Sequence, residues 1–226
     1  MLIGGSPCQG FSIAGNKLNF EDIRSKLFFE FVRVKKECNP KYFLYENVAT
    51  MDDAIADKID ELLGVKRIFV DGVNFTGMHS KRYYWTNIQN NTAQISKDIE
   101  VAKLLDNIGF DVSLDYLLSK TQYAPTTSYD GIITINPRDN NGKQTWQRGR
   151  VYDIKGKIPR ICSSLHDLAI TQDHNTYRHL TQTEEEKFFG LPIGYTDCVS
   201  RNIAGKAIGN AWQVPVVANI FCGIKI

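Results

Sequence analysis

The chain opens on an apolar pair, Leu2-Ile3, broken at once by Gly4-Gly5, which predicts a short strand running into a turn. Residues 24–38, "RSKLFFEFVRVKKEC", place Leu27, Phe31, Val34 and Cys38 at helical spacing, with Phe28 and Val32 beside them. Asn39-Pro40 stops that helix. The aromatic run "KYFLYENV" (41–48) predicts a buried strand that delivers Glu46 at its carboxyl end. Strand, loop, helix and strand in this order predict a right-handed crossover between parallel strands. "DDAIADKIDELLG" (52–64) predicts a helix closed by Gly64, and "RIFVDGVNF" (67–75) and "RYYWTNI" (82–88) predict two strands joined as a hairpin.

Apolar spacing over 96–119 predicts a further helix. From Lys120 to Arg178 the pattern changes to scattered Gly, Pro, Asn and Asp with short β-like runs such as "GIITI". Helical patterning returns at "LTQTEEEKFFG" (180–190), where Thr181 and Glu184 form a capping box, acidic residues fill the first turn and Gly190 ends the helix. "VSRNIAGKAIGN" (199–210) and "VPVVANIFCGI" (214–224) predict two more helices. The fold class is therefore α/β, with a small lobe of strands and loops inserted before the C-terminal helices. Three regions are expected: an α/β part over 1–119, the lobe over 120–178, and helices returning to the α/β part over 179–226.

Composition narrows this only a little. Of 226 residues, 42% are hydrophobic and 23% charged, values ordinary for a chain with a substantial core. The net charge of +2 singles out no partner. Five widely spaced cysteines with no Cys-x-x-Cys argue against a disulfide framework or a zinc site, and a reducing cytoplasm fits them better. No metal is expected. No apolar stretch is long enough to span a membrane, and the N-terminus lacks the basic flank and apolar run of a signal peptide.

The chemistry concentrates at strand ends. In open parallel sheets, ligands bind beyond the carboxyl ends of strands. The first strand brings Cys8 there and the second Glu46. A thiol and a carboxylate from adjacent strand ends facing one cleft make a candidate site, but a free thiol needs a following helix terminus or a nearby cation to become a good nucleophile at neutral pH. Taken singly, each has a plainer role, as an inert thiol and as a strand-end charge or helix cap. Farther on, Arg138, Lys143, Arg148, Arg150, Lys155, Lys157 and Arg160 stand against only Asp139 and Asp153, with Trp146 and Tyr152 interleaved. Such a basic, loop-rich stretch suits phosphate contact, and composition alone equally allows a solvated face.

"GGSPCQGFS" followed by "LYENVATM" strongly resembles the DNA cytosine-5 methyltransferases. "EDIRSKLFFEFVRV" is similar to the helix between those motifs, "HSKRYYWTNI" to the family's arginine-containing strand, "YRHLTQTEEEKFFGLPIGYTD" to its helix after the recognition region, and "GNAWQVPVVANI" to its closing motif. The resemblance implies a partial Rossmann-like methyltransferase sheet, with 120–178 as the target recognition region. It implies a methyl transfer from S-adenosylmethionine to carbon 5 of cytosine in double-stranded DNA, on a base flipped out of the stack, with restriction–modification, a phage role and other settings all left open.

Residue by residue, the resemblance assigns Cys8 as the nucleophile on ring carbon 6, Glu46 as the group holding ring nitrogen 3 and the exocyclic amine, and Arg82 as a contact to the base carbonyl or a brace for the loop. Without the family, Arg82 reads equally well as a surface ion pair. Cofactor contacts are implied for Pro7, Leu27, Asn210 and Ala211, although Leu27 on its own spacing reads as a core leucine. DNA contacts are implied for Gln9 and Ser12 on the cysteine loop and for Arg138, Lys143, Arg148 and Arg150. The arginine strand departs from the family's Gln-x-Arg-x-Arg pattern, with Met78 in place of the glutamine and Ser80 in place of the first arginine.

The family's Phe-x-Gly-x-Gly cofactor loop and acidic ribose partner are not found in this sequence. That leaves the Leu2-Ile3 strand as an expected exposed sheet edge and half the cofactor pocket missing: either a second chain supplies that half, or a homodimer covers the edge, or the sequence is a truncated piece or a gene remnant. The expectation is weak S-adenosylmethionine binding and poor methylation by this polypeptide alone. Two other functions compete, a DNA-binding remnant without catalysis and a cytosine methyltransferase acting on RNA.

Overall fold

The computed structural model describes residues 1–7, 26–89, 99–145, 147–163 and 168–225. The chain divides into two compact units. The first comprises Met1–Asp71, Lys81–Gln94 and Ala218–Ile226, and the second Gly72–Ser80 and Ile95–Val217.

The first unit is built on β1 (Leu2–Gly4), α1 (Leu27–Cys38), β2 (Phe43–Val48), α2 (Asp53–Leu63), β3 (Ile68–Asp71) and β4 (Lys81–Thr86). The sheet order is β1-β2-β4-β3, with β1 parallel to β2 and β4 antiparallel to both its neighbours. The strand–helix–strand crossover is therefore present, and β1 is an edge strand in this sheet. Asn39 adopts a left-handed conformation that closes α1 just ahead of Pro40. The buried face of α1 is the pair Phe28 and Val32, not the predicted stripe. Leu27 is 51% exposed, so the reading of Leu27 as a core leucine is corrected: the helix is rolled so that position 28 faces the sheet.

Aromatic rings knit this core. Phe28 and Phe31 lie 5.2 and 5.0 Å from Tyr45, which lies 5.6 Å from Trp85. The indole N–H of Trp85 donates to Asp60 Oδ1 at 2.6 Å, and the same carboxylate accepts from the Arg67 backbone N–H at 3.0 Å. Arg67 Nη1 donates to the other oxygen, Oδ2, at 3.2 Å, so this buried carboxylate is retained with a donor on each oxygen.

The predicted strand over 67–75 breaks after Asp71, and the chain turns into α3 (Val73–Thr76). The break falls at Gly72, where a Cβ would overlap the Gln213 side chain at 1.4 Å. The predicted helix over 96–119 is also corrected. Its described residues form a single 3-10 turn at Val101–Leu104, β5 (Val112–Ser113) and the four-residue α4 (Asp115–Leu118). The Asp106 N–H donates to Glu184 Oε1, at 2.7 Å, so this backbone group is spent on a distant carboxylate.

The second unit continues with β6 (Thr121–Gln122), β7 (Thr126–Thr127), β8 (Ile133–Thr134), β9 (Arg138–Asp139), β10 (Val151–Asp153), β11 (Ala169–Thr171), β12 (Thr176–His179), α5 (Gln182–Phe189), α6 (Arg201–Asn210) and α7 (Val214–Phe221), the last ending in the first unit. Six strands form a sheet ordered β5-β12-β11-β10-β8-β7, and β6 pairs with β9 separately.

Three consecutive carboxylates on α5 organise this unit. Glu184, Glu185 and Glu186 are all fully buried. Glu184 completes the predicted capping box with Thr181 and forms a two-pronged pair with Arg178 at 2.8 and 2.7 Å. Glu185 pairs with Arg201 in the same manner, and Glu186 accepts from the backbone N–H groups of Gly194 and Thr196. Asp106 joins the cap through Thr181 Oγ1 and Lys187 Nζ.

Two outcomes follow from this cluster. Removing one member of a buried pair strands the other charge, so Glu184→Ala should destabilise by about 3–5 kcal/mol, read as a lower urea midpoint, while Arg178→Met with Glu184→Leu should cost less. Burial pushes the Asp106 carboxyl up, but hydrogen bonds from Lys187 and Thr181 outweigh it and hold the group below its ordinary 3.8. Its contribution is thus complete at neutral pH and is lost as the pH falls through the folded-state value. Asp106→Asn should flatten the acid limb of a stability–pH curve, and an unchanged limb would show that Asp106 does not carry it.

Candidate active site

The strand register decides which side chains meet at the end of the first sheet. Val48 on β2 lies opposite Arg82 on β4, and Glu46 lies opposite Tyr84. Glu46 and Val48 are two residues apart and so share a face, which makes Arg82 the diagonal neighbour of Glu46 on that face. The Arg82 Nε donates to Glu46 Oε1 at 2.8 Å, with both side chains largely buried at 16% and 12% exposure. Arg82 Nη1 also donates to the Lys81 carbonyl. Sequence reasoning named both residues, and the fold brings them together.

The segment leaving β1 approaches the same point. At Gly5 a Cβ would sit 2.8 Å from the Glu46 carbonyl oxygen and 3.1 Å from Oε2. Only glycine lets the chain pass this close to the carboxylate. Ser6 Oγ and Tyr45 Oη share a 2.6 Å hydrogen bond, and Asn47 Nδ2 donates to the Ser6 carbonyl at 3.3 Å and to Tyr45 Oη at 3.2 Å. Asn47 Oδ1 accepts from the Val48 N–H. Asn47 therefore fixes the Ser6 segment to the end of β2, and Pro7, half-buried, follows. Burial pushes the Tyr45 hydroxyl above its ordinary value despite its hydrogen bonds to Ser6 and Asn47, so it acts here as a neutral strut. Cys8, Gln9 and Ser12 lie outside the described residues.

In the second unit, Asn210 is the last residue of α6 and is exposed, and Ala211 caps that helix. Met78 is fully buried in the core of this unit, and Ser80 is buried as well. The two positions that depart from the family pattern are thus interior positions.

The basic residues separate into two sets. Arg138 and Lys143 are exposed, and Arg138 Nη1 donates to the Gly142 carbonyl at 2.7 Å. Arg150 is half-buried and grips the Thr145 carbonyl through Nε and Nη2 at 3.0 and 2.6 Å. Arg138 and Arg150 line a groove of about 400 Å³ together with Thr126, Ser128 and Gln144. Arg148 lies in the 3-10 turn Gln147–Gly149, its side chain outside the described set, and Trp146 lies outside it too. Arg160 does not belong with this face: it is turned into the unit, onto Ser80, Gly209 and Ala211. Tyr152 is likewise a core residue at 1% exposure, and burial pushes its hydroxyl up to about 12. β10 is paired on both sides, and its three residues are all buried. That is why an alternation of basic and aromatic residues in the sequence does not form one surface.

Sequence reasoning passed over a polar chain in this unit. His174, in a left-handed conformation, bonds the buried Asp153 through Nε2 at 2.7 Å and the Tyr123 hydroxyl through Nδ1 at 3.0 Å. Nothing at positions 123, 153 and 174 signals it, because residues far apart in sequence are brought together only by the folded unit. Gly5 was legible as a turn, but its closeness to Glu46 was not. Among the described residues there is no cluster able to hold a metal ion and no helix long and apolar enough to cross a membrane.

A family model described as C-5 cytosine-specific DNA methylase matches residues 1–61. The type II methyltransferase M1.ScrFI of Lactococcus lactis subsp. cremoris is 57% identical over 235 aligned positions, covering 96% of this chain and 60% of that protein. The type II methyltransferase M.Eco47II of Escherichia coli is 65% identical over 48 residues, 21% of this chain and 12% of that protein. The orphan methyltransferase M.SPRI of Bacillus phage SPR is 56% identical over 48 residues, 21% of this chain and 11% of that protein. The chain thus spans 60% of the length of M1.ScrFI, and the two shorter alignments cover far less of their proteins. Among solved structures, the Entamoeba histolytica methyltransferase EhMeth superposes with a TM-score of 0.68 at 15% identity, over 99% of this chain and 77% of that one. The S. pombe Dnmt2 methyltransferase gives 0.65 at 16% identity, over 98% and 77%. At these identities the superpositions speak for the fold alone, a mixed α/β methyltransferase fold. Together with the long alignment to M1.ScrFI and the family match over the strand-end segment, they place the result beyond a motif resemblance: the chain belongs to the C-5 cytosine-specific DNA methylase family.

Proposed function

We infer that this chain carries the nucleophile and base-holding half of a DNA cytosine-5 methyltransferase. The observation that carries the reading is the Glu46–Arg82 pair set against the Gly5–Pro7 segment, immediately before Cys8 in the sequence. Cys8 supplies the thiolate that adds to carbon 6 of the ring. The sulfur–carbon bond forms as electron density moves into the ring toward nitrogen 3 and carbon 5. Glu46, carrying a proton on its second oxygen or sharing it with the ring, donates to nitrogen 3 and accepts from the exocyclic amine, which offsets the charge that develops at nitrogen 3. Arg82 holds Oε1 of Glu46 and so sets the direction of the carboxyl group. Carbon 5 gives that electron pair to the methyl group that S-adenosylmethionine supplies when bound; loss of the carbon-5 proton with departure of the Cys8 thiolate then restores the aromatic ring.

S-adenosylmethionine, when bound, supplies an electrophilic methyl group. The residues offered to it suit its chemistry: Leu27 presents an exposed apolar side chain of the kind that packs on an adenine or thioether, and Asn210 an exposed carboxamide. Pro7 and Ala211 complete the proposed cofactor contacts. Within the recognition region proposed for 120–178, the groove lined by Arg138 and Arg150 suits a DNA backbone or the guanine edge, which guanidinium groups bind through paired hydrogen bonds. Lys143, Arg148, Gln9 and Ser12 are the further proposed DNA contacts.

The covalent step is tested with a duplex containing 5-fluorocytosine, in the presence of S-adenosylmethionine and with the missing cofactor-loop half supplied in trans. The expected result is an adduct stable to denaturant, lost in Cys8→Ala and strongly reduced in Glu46→Gln. Binding without an adduct would overturn catalysis in favour of a DNA-binding role, and an adduct on RNA alone would move the substrate class. Gly5→Ala forces a methyl group against the Glu46 carboxylate and should cost about 1–3 kcal/mol of stability as an overpacking change. It should also slow adduct formation. Wild-type adduct kinetics in Gly5→Ala would show that the Gly5 contact does not set the Glu46 geometry.

A further inference from the structure

Arg160 ends the basic run in the sequence, yet its guanidinium is an internal brace. Nη1 donates to Ser80 Oγ, and Nη2 to the carbonyls of Gly209 at 3.3 Å and Ala211 at 3.0 Å. The Arg160 guanidinium lies 5.2 Å from the centre of the Phe189 ring. The backbone around it is stitched to the same segments. Met78 pairs with Ile158 in an isolated parallel bridge, the His79 N–H donates to the Ile158 carbonyl at 3.0 Å, and the Ile161 N–H reaches Met78 Sδ at 3.5 Å. At Gly209 a Cβ would fall 2.2 Å from the Ser163 nitrogen, so the chain after Arg160 runs directly against the last turn of α6.

Two features make this arrangement specific. The last carbonyls of a helix lack intrahelical donors and carry partial negative charge. The last turn of α6 has no basic residue of its own, so Arg160 brings donors and positive charge to it from a distant segment. In addition, Ser80 is small and buried, and it stands where the family pattern has an arginine. The guanidinium that position 80 does not provide arrives from position 160.

We propose that Arg160 is a positioning residue for Asn210. Its guanidinium takes the place that an arginine at position 80 would fill and fixes the Gly209–Ala211 turn on which Asn210 sits. The part of this that concerns the cofactor rests on the reading of Asn210 given under Proposed function.

The test is a swap in the full chain: Arg160→Ser, Ser80→Arg, and the two together, each followed by thermal melting and by calorimetry with S-adenosylmethionine. Arg160→Ser should weaken S-adenosylmethionine binding by about tenfold or more. Ser80→Arg alone crowds two guanidinium groups into one buried place and should lower the melting temperature by about 3 °C or more. The double variant should recover both, with affinity within about threefold of wild type. Ile170→Val, in the same unit's core, controls for loosened packing and should leave affinity unchanged. A double variant no better than the worse single variant, or Arg160→Ser binding like wild type, would overturn the proposal. If the wild type binds no S-adenosylmethionine even with the missing half of the pocket supplied in trans, the cofactor reading of Asn210 falls. The melting cycle then decides the brace: non-additive effects uphold it, and additive effects end it.

Discussion

The ion pair between Glu46 and Arg82 exists only because β2 and β4 run antiparallel in one register. A shift of a single residue would turn Arg82 to the other face of the sheet and leave Glu46 without it. That register is held from below by the aromatic contacts of Tyr45 and Trp85 and by the Trp85 hydrogen bond to Asp60. It is held from the side by the Asn47 and Tyr45 contacts to Ser6. The proposed chemistry at the strand ends therefore depends on a core with a polar anchor inside it, and the close passage of Gly5 ties the β1 segment to the same carboxylate.

The second unit solves a different problem. Its strands are short and its loops many, so regular backbone pairing leaves much of the chain to be fixed by side chains. Buried charge takes that role. Each of three neighbouring glutamates on one turn of α5 holds a separate partner, Arg178, Arg201 or the loop at Gly194–Thr196. Arg160 does the equivalent work at the end of α6. Such groups stabilise a particular arrangement only while both members of each pair are present, since a stranded buried charge is far more costly than a missing apolar contact. A lobe built this way can present a different set of exposed basic residues without disturbing its interior.

What the sequence made legible was local. The β1–α1–β2 crossover, the αL close of α1 at Asn39, the capping box at Thr181 and Glu184 and the helices α6 and α7 all rest on spacing and on turn chemistry within a few residues. The Glu46–Arg82 meeting was half-legible: the motifs named both residues, but only the register puts them on one face. The failures share one cause. The apolar spacing over 96–119 satisfies a helix pattern, yet the Asp106 N–H goes to a carboxylate 78 residues away in sequence. Leu27 fits the helical stripe, but the sheet takes Phe28. Arg160 and Tyr152 looked like members of a basic, aromatic surface, and both are interior because their partners, Ser80 and Gly209 for one and the flanking strands for the other, come from distant parts of the chain.

The central claim is that Cys8 and Glu46 grip one pyrimidine from different sides. A crystal structure of the protein trapped on a duplex carrying a mechanism-based cytosine analogue tests it most directly. The account predicts a single bond between the Cys8 sulfur and ring carbon 6, with a Glu46 carboxyl oxygen within hydrogen-bond distance of ring nitrogen 3 and Arg82 still on the other oxygen. A base bound out of reach of either side chain would contradict it.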